Sequence, residues 1–190
     1  NSLTDLDVSK NTKLESLDCS YNDLLHLSGG AWSTRTRSID CSNNKITNLD
    51  VSNSTELEKL DCSGNKLTSL KISDKKTNKT NLSISSNTEL KELDCSNNQL
   101  TELDVSDNTG LEKFRCNDNI LDNLDISLLS DLVELQCCNQ AQGFILYLTE
   151  EQKNKFTEED YCDAILNAVS NELITNSKLK EWIKANTDQL

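Results

Sequence analysis

Three residue types in this 190-residue chain could carry chemistry: eight cysteines, a single histidine and a large excess of carboxylates. Cysteines at the spacing of a zinc site would sit as close local pairs, because a structural zinc needs four convergent ligands. Here Cys19, Cys41, Cys62, Cys95, Cys116 and Cys137 follow one another at steps of 22, 21, 33, 21 and 21 residues. That spread does not converge on an ion, and no metal or cofactor is expected. His26 is the only histidine, which all but excludes a histidine-based nucleophile triad or a histidine-rich metal site. Paired carboxylates could act as acid and base on a glycoside, yet aspartates recur so regularly that nothing singles out one pair. The chain reads as a non-enzyme.

The spacing of the cysteines is the period of a repeat. Around each runs the pattern L-x-x-L-x-C-x-x-N-x-L, complete at Leu57, Leu60, Cys62, Asn65 and Leu67 and again at Leu90, Leu93, Cys95, Asn98 and Leu100. A second half-unit lies between, as in "LTELDVSDNTGL" from Leu100 and "ITNLDVSNSTEL" from Ile46. The unit is about 21 residues, within the leucine-rich repeat range. Alternation within L-x-C puts both side chains on one side of a short strand, and the Asn can bond backbone where the chain turns away. One unit cannot close a core, so units must stack and bury their Leu, Cys and Val against neighbours. Both half-units carry the strand pattern, so both sides of each coil are expected to be extended. The expected fold is a repeat solenoid, a mostly β leucine-rich repeat over residues 1–143, followed at 144–190 by an edge strand and a C-terminal α-helical cap or appendage.

These repeats resemble those of bacterial leucine-rich repeat proteins, the cysteine-ladder internalins and similar exported proteins of Bacteroidetes among them. The resemblance covers residues 3 to about 140. It implies a binding module of an exported or cell-surface protein, with a protein or glycan partner that it does not identify. A structural spacer in a longer surface protein and an intracellular interaction scaffold are the alternatives.

A cysteine in the inward slot behaves as a small apolar group. Equivalent cysteines on neighbouring coils stand about 4.8 Å apart, wider than the roughly 3.5–4.5 Å between Cβ atoms that a disulfide requires. The six ladder cysteines are therefore expected to be free, buried thiols. Cys138 and Cys162 fall outside the ladder and are the only two left that could pair, which the sequence leaves open.

Between the inward positions, outward residues form files across the stack. One file is Asp18, Asp40, Asp61, Asp94, Arg115 and Gln136; the next is Ser20, Ser42, Ser63, Ser96, Asn117 and Cys138. Carboxylates about 5 Å apart repel by roughly 0.8 kcal/mol per pair even in water, so Ser hydroxyls, Lys59, Lys113 or cations must compensate. The other half-unit has its own file, Asp7, Asp50, Asp104 and Asp125, and a motif on both faces reads first as local backbone bonding. As a binding surface the candidates are Asp18, Asp40, Asp61, Asp94, Lys113, Arg115 and Asn117. The contact would centre where the aspartate file breaks, at Lys113, Arg115 and Asn117, flanked by Glu92, Asp94 and Glu134. The competing reading is that Lys113 and Arg115 only offset Glu92 and Asp94.

The formal charge of −13 argues against a nucleic-acid groove and against adsorption to an anionic membrane, and no apolar run reaches the roughly 20 residues of a membrane span. No Met occurs, and Leu3 enters mid-pattern without a cap; both suit a mature form or a fragment of a longer array. The long step between Cys62 and Cys95 holds about a dozen extra residues near 71–81, expected as a polar loop with Lys75, Lys76 and Lys79. Asn78 and Asn81 there fit N-x-S/T but carry no weight. Gly29 replaces a Val, with Trp32 beside it as either core filler or exposed anchor. In the tail, "FILYL" reads as a last edge strand and Thr149 to Gln152 as a capping box, with Thr157 and Asp160 repeating that signal. Tyr161, Ile165, Ala168, Val169 and Leu173 follow helical spacing, and Leu179, Trp182 and Ile183 suggest a final helix.

Overall fold

The computed structural model describes residues 1–28, 34–51, 54–71, 87–162 and 164–169. Trp32 and Gly29, the basic residues of the long insertion, and the suggested final helix lie outside them. Six three-residue strands form the front sheet: β2 (Ser16–Asp18), β4 (Ser38–Asp40), β6 (Lys59–Asp61), β8 (Glu92–Asp94), β9 (Lys113–Arg115) and β11 (Glu134–Gln136). All pair in parallel, rung against rung, in that order. On the back are β1 (Asp5–Asp7), β3 (His26–Ser28), β5 (Asn48–Asp50), β7 (Ser69–Lys71), β10 (Asn123–Asp125), β12 (Ile145–Thr149) and β13 (Ile165–Val169). They pair as β1–β3, β5–β7 and β10–β12–β13. β6 pairs directly with β8, so the extra residues between them add no rung.

Each strand is short because only one residue of it, such as Leu60, points inward, and the chain must then turn. The core is a stack of Leu57, Leu60, Cys62 and Leu67, all at most 2% exposed, and their equivalents, with Leu14, Leu17 and Cys19 of the first rung less fully covered. The turn after each ladder cysteine uses a left-handed residue: Asn43, Asn97, Asp118 and Asn139 at φ of 53–55°, Gly64 at 62° and Tyr21 at 53°. Asn, Asp and Gly tolerate that region, and a Cβ on Gly64 would lie 2.8 Å from Asn43 Oδ1.

The next residue ties the rungs together. Asn98 Nδ2 donates to the carbonyls of Cys62 (3.1 Å), Cys95 (3.1 Å) and Ser96 (3.0 Å), and Asn98 Oδ1 accepts from Leu67 N at 2.9 Å. Asn44, Asn65 and Asn119 repeat the arrangement. At the last rung Gln140 replaces Asn and still reaches the Cys116 carbonyl (2.8 Å) and Leu121 N (3.2 Å).

The C-terminal end completes the stack by other means. Two helices, α1 (Glu150–Lys155) and α2 (Glu158–Tyr161), follow β12. Thr149 Oγ1 accepts from Gln152 N and Gln152 Oε1 from Thr149 N, the capping box read from the sequence. The same Gln152 side chain donates to the carbonyls of Ile126 (2.8 Å) and Leu129 (3.1 Å), and Lys155 donates to that of Leu132. These bonds occupy carbonyls that a further repeat would otherwise cover. Two expectations need correction. β12 is no edge strand, because β13 pairs along its whole length on the side away from β10. Ile165 to Val169 are strand, not helix: α2 stops at Cys162, whose φ is 47°, and the five residues that follow in β13 pair one for one with β12, so apolar residues at helical spacing serve a strand here.

The asparagine bonds make a quantitative expectation. Asn98→Ala leaves the buried Leu67 amide without a partner and takes one of two donors from each of three carbonyls, and should cost about 1–3 kcal/mol in denaturant unfolding with an unchanged m-value. Asn22, half-exposed at the first rung, bonds two carbonyls of its own turn, and its replacement should cost under about 1 kcal/mol. Equal losses at the two positions would show that rung-bridging bonds are not what holds the stack.

Candidate binding face

The front sheet brings the predicted file together in register: Asp18 beside Asp40, Asp40 beside Asp61, Asp61 beside Asp94, Asp94 beside Arg115, and Arg115 beside Gln136. Asp40, Asp61, Asp94, Lys113 and Arg115 line one shallow depression with Lys59 and Glu92. Asn117 follows Arg115 by two residues, with its amide on the Asp118 carboxylate.

The aspartates are anchored locally. Asp18 Oδ1 accepts from Ser20 N (3.0 Å) and Oγ (2.7 Å), Asp61 Oδ1 from Ser63 N (3.0 Å) and Oγ (2.6 Å), and Asp94 Oδ1 likewise from Ser96. Asp40 takes Ser42 N. On the back, Asp7, Asp104 and Asp125 accept from the amide two residues on in the same way. One oxygen of these carboxylates therefore closes a turn, as the two-sided motif suggested.

A second file was not recognised in the sequence as a unit. The residue before each inward Leu runs Ser16, Ser38, Lys59, Glu92, Lys113, Glu134, each in register with the next. Its charges alternate, and Glu92 takes both neighbours, Lys59 at 3.1 Å and Lys113 at 3.3 Å. Arg115 pairs with Glu134 and, at 3.9 Å, with Asp94. One residue further back Arg37 meets Glu58 at 3.2 Å and Lys91 meets Glu112 at 3.9 Å. The signal was available in the sequence as sign reversal at one-repeat steps. Lys113 and Arg115 thus do offset Glu92 and Asp94, as the competing reading held, with Glu134 as a further partner. His26 stands apart on the back sheet, in register with Asp5.

The ladder thiols point inward, buried and unpaired. Burial pushes Cys41, Cys62, Cys95 and Cys116 well above the usual thiol range, Cys19 up to about 11 and Cys137 up to about 12. They are protonated and unreactive. Cys138, in the outward file, forms a disulfide with Cys162. Among the described residues no group of three or more metal-ligating side chains converges, and no helix is long and apolar enough to cross a membrane.

Asp61 is the strained member of the aspartate file. Burial raises its pKa; the Ser63 hydrogen bonds oppose this, and Asp94 and Asp40 add to the rise. A carboxyl whose folded pKa is raised contributes most to stability below its unfolded value, and that contribution is lost as pH climbs through the raised value. Its charge is thus a net cost at neutral pH. Asp61→Asn keeps an acceptor for Ser63 and should raise Tm by about 1–2 °C at pH 7, with the gain vanishing near pH 3. A gain equal at both pH values would mean that the charge is not responsible.

No family model matches the chain, and no curated protein sequence matches it. Solved structures do. The functional domain of InlJ from Listeria monocytogenes, which includes a cysteine ladder, is 33% identical over 79% of this chain with a TM-score of 0.54. Internalin InlF of the same organism is 24% identical over 90% of this chain, with a TM-score of 0.58. A leucine-rich repeat protein of Leptospira interrogans is 17% identical over 93%, with a TM-score of 0.62. The matched region spans 39%, 48% and 48% of those structures. With its repeat, its register and its file of buried thiols, the chain is a bacterial-type leucine-rich repeat protein that resembles the cysteine-ladder internalins.

Proposed function

We propose that the chain is a non-enzymatic binding module of an exported or cell-surface protein, and that it takes a protein partner on the front sheet. The observation that carries this reading is the lattice of outward charges in rung register around the depression at Asp61, Asp94 and Arg115. Backbone pairing fixes these side chains at their Cα positions, so a partner meets a preorganised pattern. Neighbouring internalins make protein binding the natural use of such a face. Arg115 and Lys113 keep 41% and 45% of their side chains exposed, and exposed ion pairs are worth about 0–1 kcal/mol. A partner carboxylate can therefore displace Glu134 from Arg115 at small cost and gain a forked contact. Asp18, Asp40 and Asp61 at the other end of the file suit a basic stretch of the same partner. The contact would then involve Asp18, Asp40, Asp61, Asp94, Lys113, Arg115 and Asn117, with Glu92 and Glu134 at its margin.

The Cys138–Cys162 disulfide favours export over an intracellular scaffold, since such bonds persist in oxidising compartments. A spacer in a longer surface protein shares that preference and differs only in needing no partner.

A screen of the purified chain against host proteins and glycans supplies a ligand. Arg115→Glu should then weaken binding about 100-fold or more while leaving Tm nearly unchanged. Retained binding with a lowered Tm would make Arg115 a structural residue, and no ligand with any face intact would favour the spacer. An export signal at the start of the full-length gene is expected, and its absence would remove the export reading.

A further inference from the structure

We propose that the Cys138–Cys162 disulfide is a redox latch that holds α2 over the open end of the front sheet and releases it on reduction. α2 substitutes for a seventh front strand. In the regular ladder Cys95 N donates to Arg115 O at 2.9 Å and Cys116 N to Gln136 O at 2.8 Å; at the last rung Cys137 N donates to Asp160 O, also at 2.8 Å. The helix that supplies this carbonyl has four residues, none of them buried. Its own cap, Asp160 accepting from Thr157 N at 2.6 Å, is exposed to solvent. Apart from that one carbonyl bond and the half-buried Tyr161, which packs against the core, the cross-link is what holds this segment.

The chain on either side is anchored separately. Upstream, Gln152 and Lys155 bond three carbonyls of the preceding back half-unit, and Phe156 is buried. Downstream, Ile165 N donates to Phe144 O at 2.8 Å and β13 pairs with β12 over five residues. Breaking the cross-link therefore frees residues 157–162 as a loop without unzipping the coil. Opening removes the partner of Cys137 N and uncovers the edge of β11 beside Arg115.

The chemistry is confined to one bond. Cys162 is exposed and Cys138 half-buried, so a thiolate of a dithiol reductant attacks Cys162 Sγ and Cys138 leaves as thiolate. The reductant's second thiol then expels Cys162 and closes its own disulfide, so two electrons pass to the protein and two protons follow to its sulfurs. Cys137, although adjacent, points to the opposite face of the strand and is buried with the other ladder thiols. Six thiols stay silent while one disulfide responds.

The test uses the full 190-residue chain, treated with a low-molecular-weight dithiol at neutral pH without denaturant, then alkylated and followed by hydrogen exchange. Alkylation is expected at Cys138 and Cys162 alone. Exchange at the Cys137 amide and across 158–162 should rise about tenfold or more, while β12 keeps its protection. Cys162→Ser should show the same exchange pattern without reductant. Unchanged protection of Cys137 after reduction would make the bond a passive staple. Loss of β12 protection, alkylation of the ladder, or failure of Cys162→Ser to fold would make it a global cross-link. Either result overturns the latch.

Discussion

Everything in this molecule depends on satisfying the backbone carbonyls at one buried turn. Where each coil leaves the front sheet, the carbonyls of Cys62, Cys95 and their equivalents point into a region closed to water, and a buried carbonyl without a donor costs about 1–3 kcal/mol. A single asparagine meets the need by donating to its own rung and to the previous one, as Asn98 does to Cys95 and Cys62, while accepting from the strand-exit amide of Leu67. That bond set fixes the distance between rungs, and with it the register of every outward side chain. The insertion between β6 and β8 is tolerated because Asn98 still lands on the Cys62 carbonyl. The last rung substitutes Gln140, whose longer arm reaches the same Cys116 carbonyl.

The cysteine file follows from the same turn. Its residue lies two positions before the left-handed turn residue and three before the asparagine, on the inward side of the coil. A thiol fills the space, carries no obligatory hydrogen bond and can still lean on a carbonyl, as Cys62 Sγ does on Asp94 O at 3.5 Å. Stacking six thiols raises no charge problem, because burial keeps them protonated.

The period carried most of the fold into the sequence. Leu, Cys and Asn at fixed offsets gave the strands, the inward faces and the free thiols, and the Asp file then followed from alternation alone. What escaped was whatever departs from the period. Ile165 to Val169 read as helix because Tyr161, Ile165, Ala168, Val169 and Leu173 happen to fall at helical spacing, and the strand's partner β12 was itself outside the repeat. The pairing of Cys138 with Cys162 could be posed but not decided, since it depends on α2 standing where a strand would otherwise be. On the face, the alternation of Lys59, Glu92, Lys113 and Glu134 was present in the letters, but its meaning needed the register that makes Glu92 a neighbour of both lysines.

That alternation bears on how such a face can be selective. A uniform file of aspartates would attract any basic partner and repel its own rungs. Serines instead absorb one oxygen of Asp18, Asp61 and Asp94 into turns, and lysines and arginine at the far end neutralise the rest. The chain remains strongly acidic overall, −13 by formal count, so long-range attraction would draw a basic partner in without orienting it. Orientation would have to come at close range, where Arg115 can exchange Glu134 or Asp94 for a partner's carboxylate. The pairs that steady the empty face are then the ones a correct partner replaces, and an incorrect partner would gain nothing by breaking them.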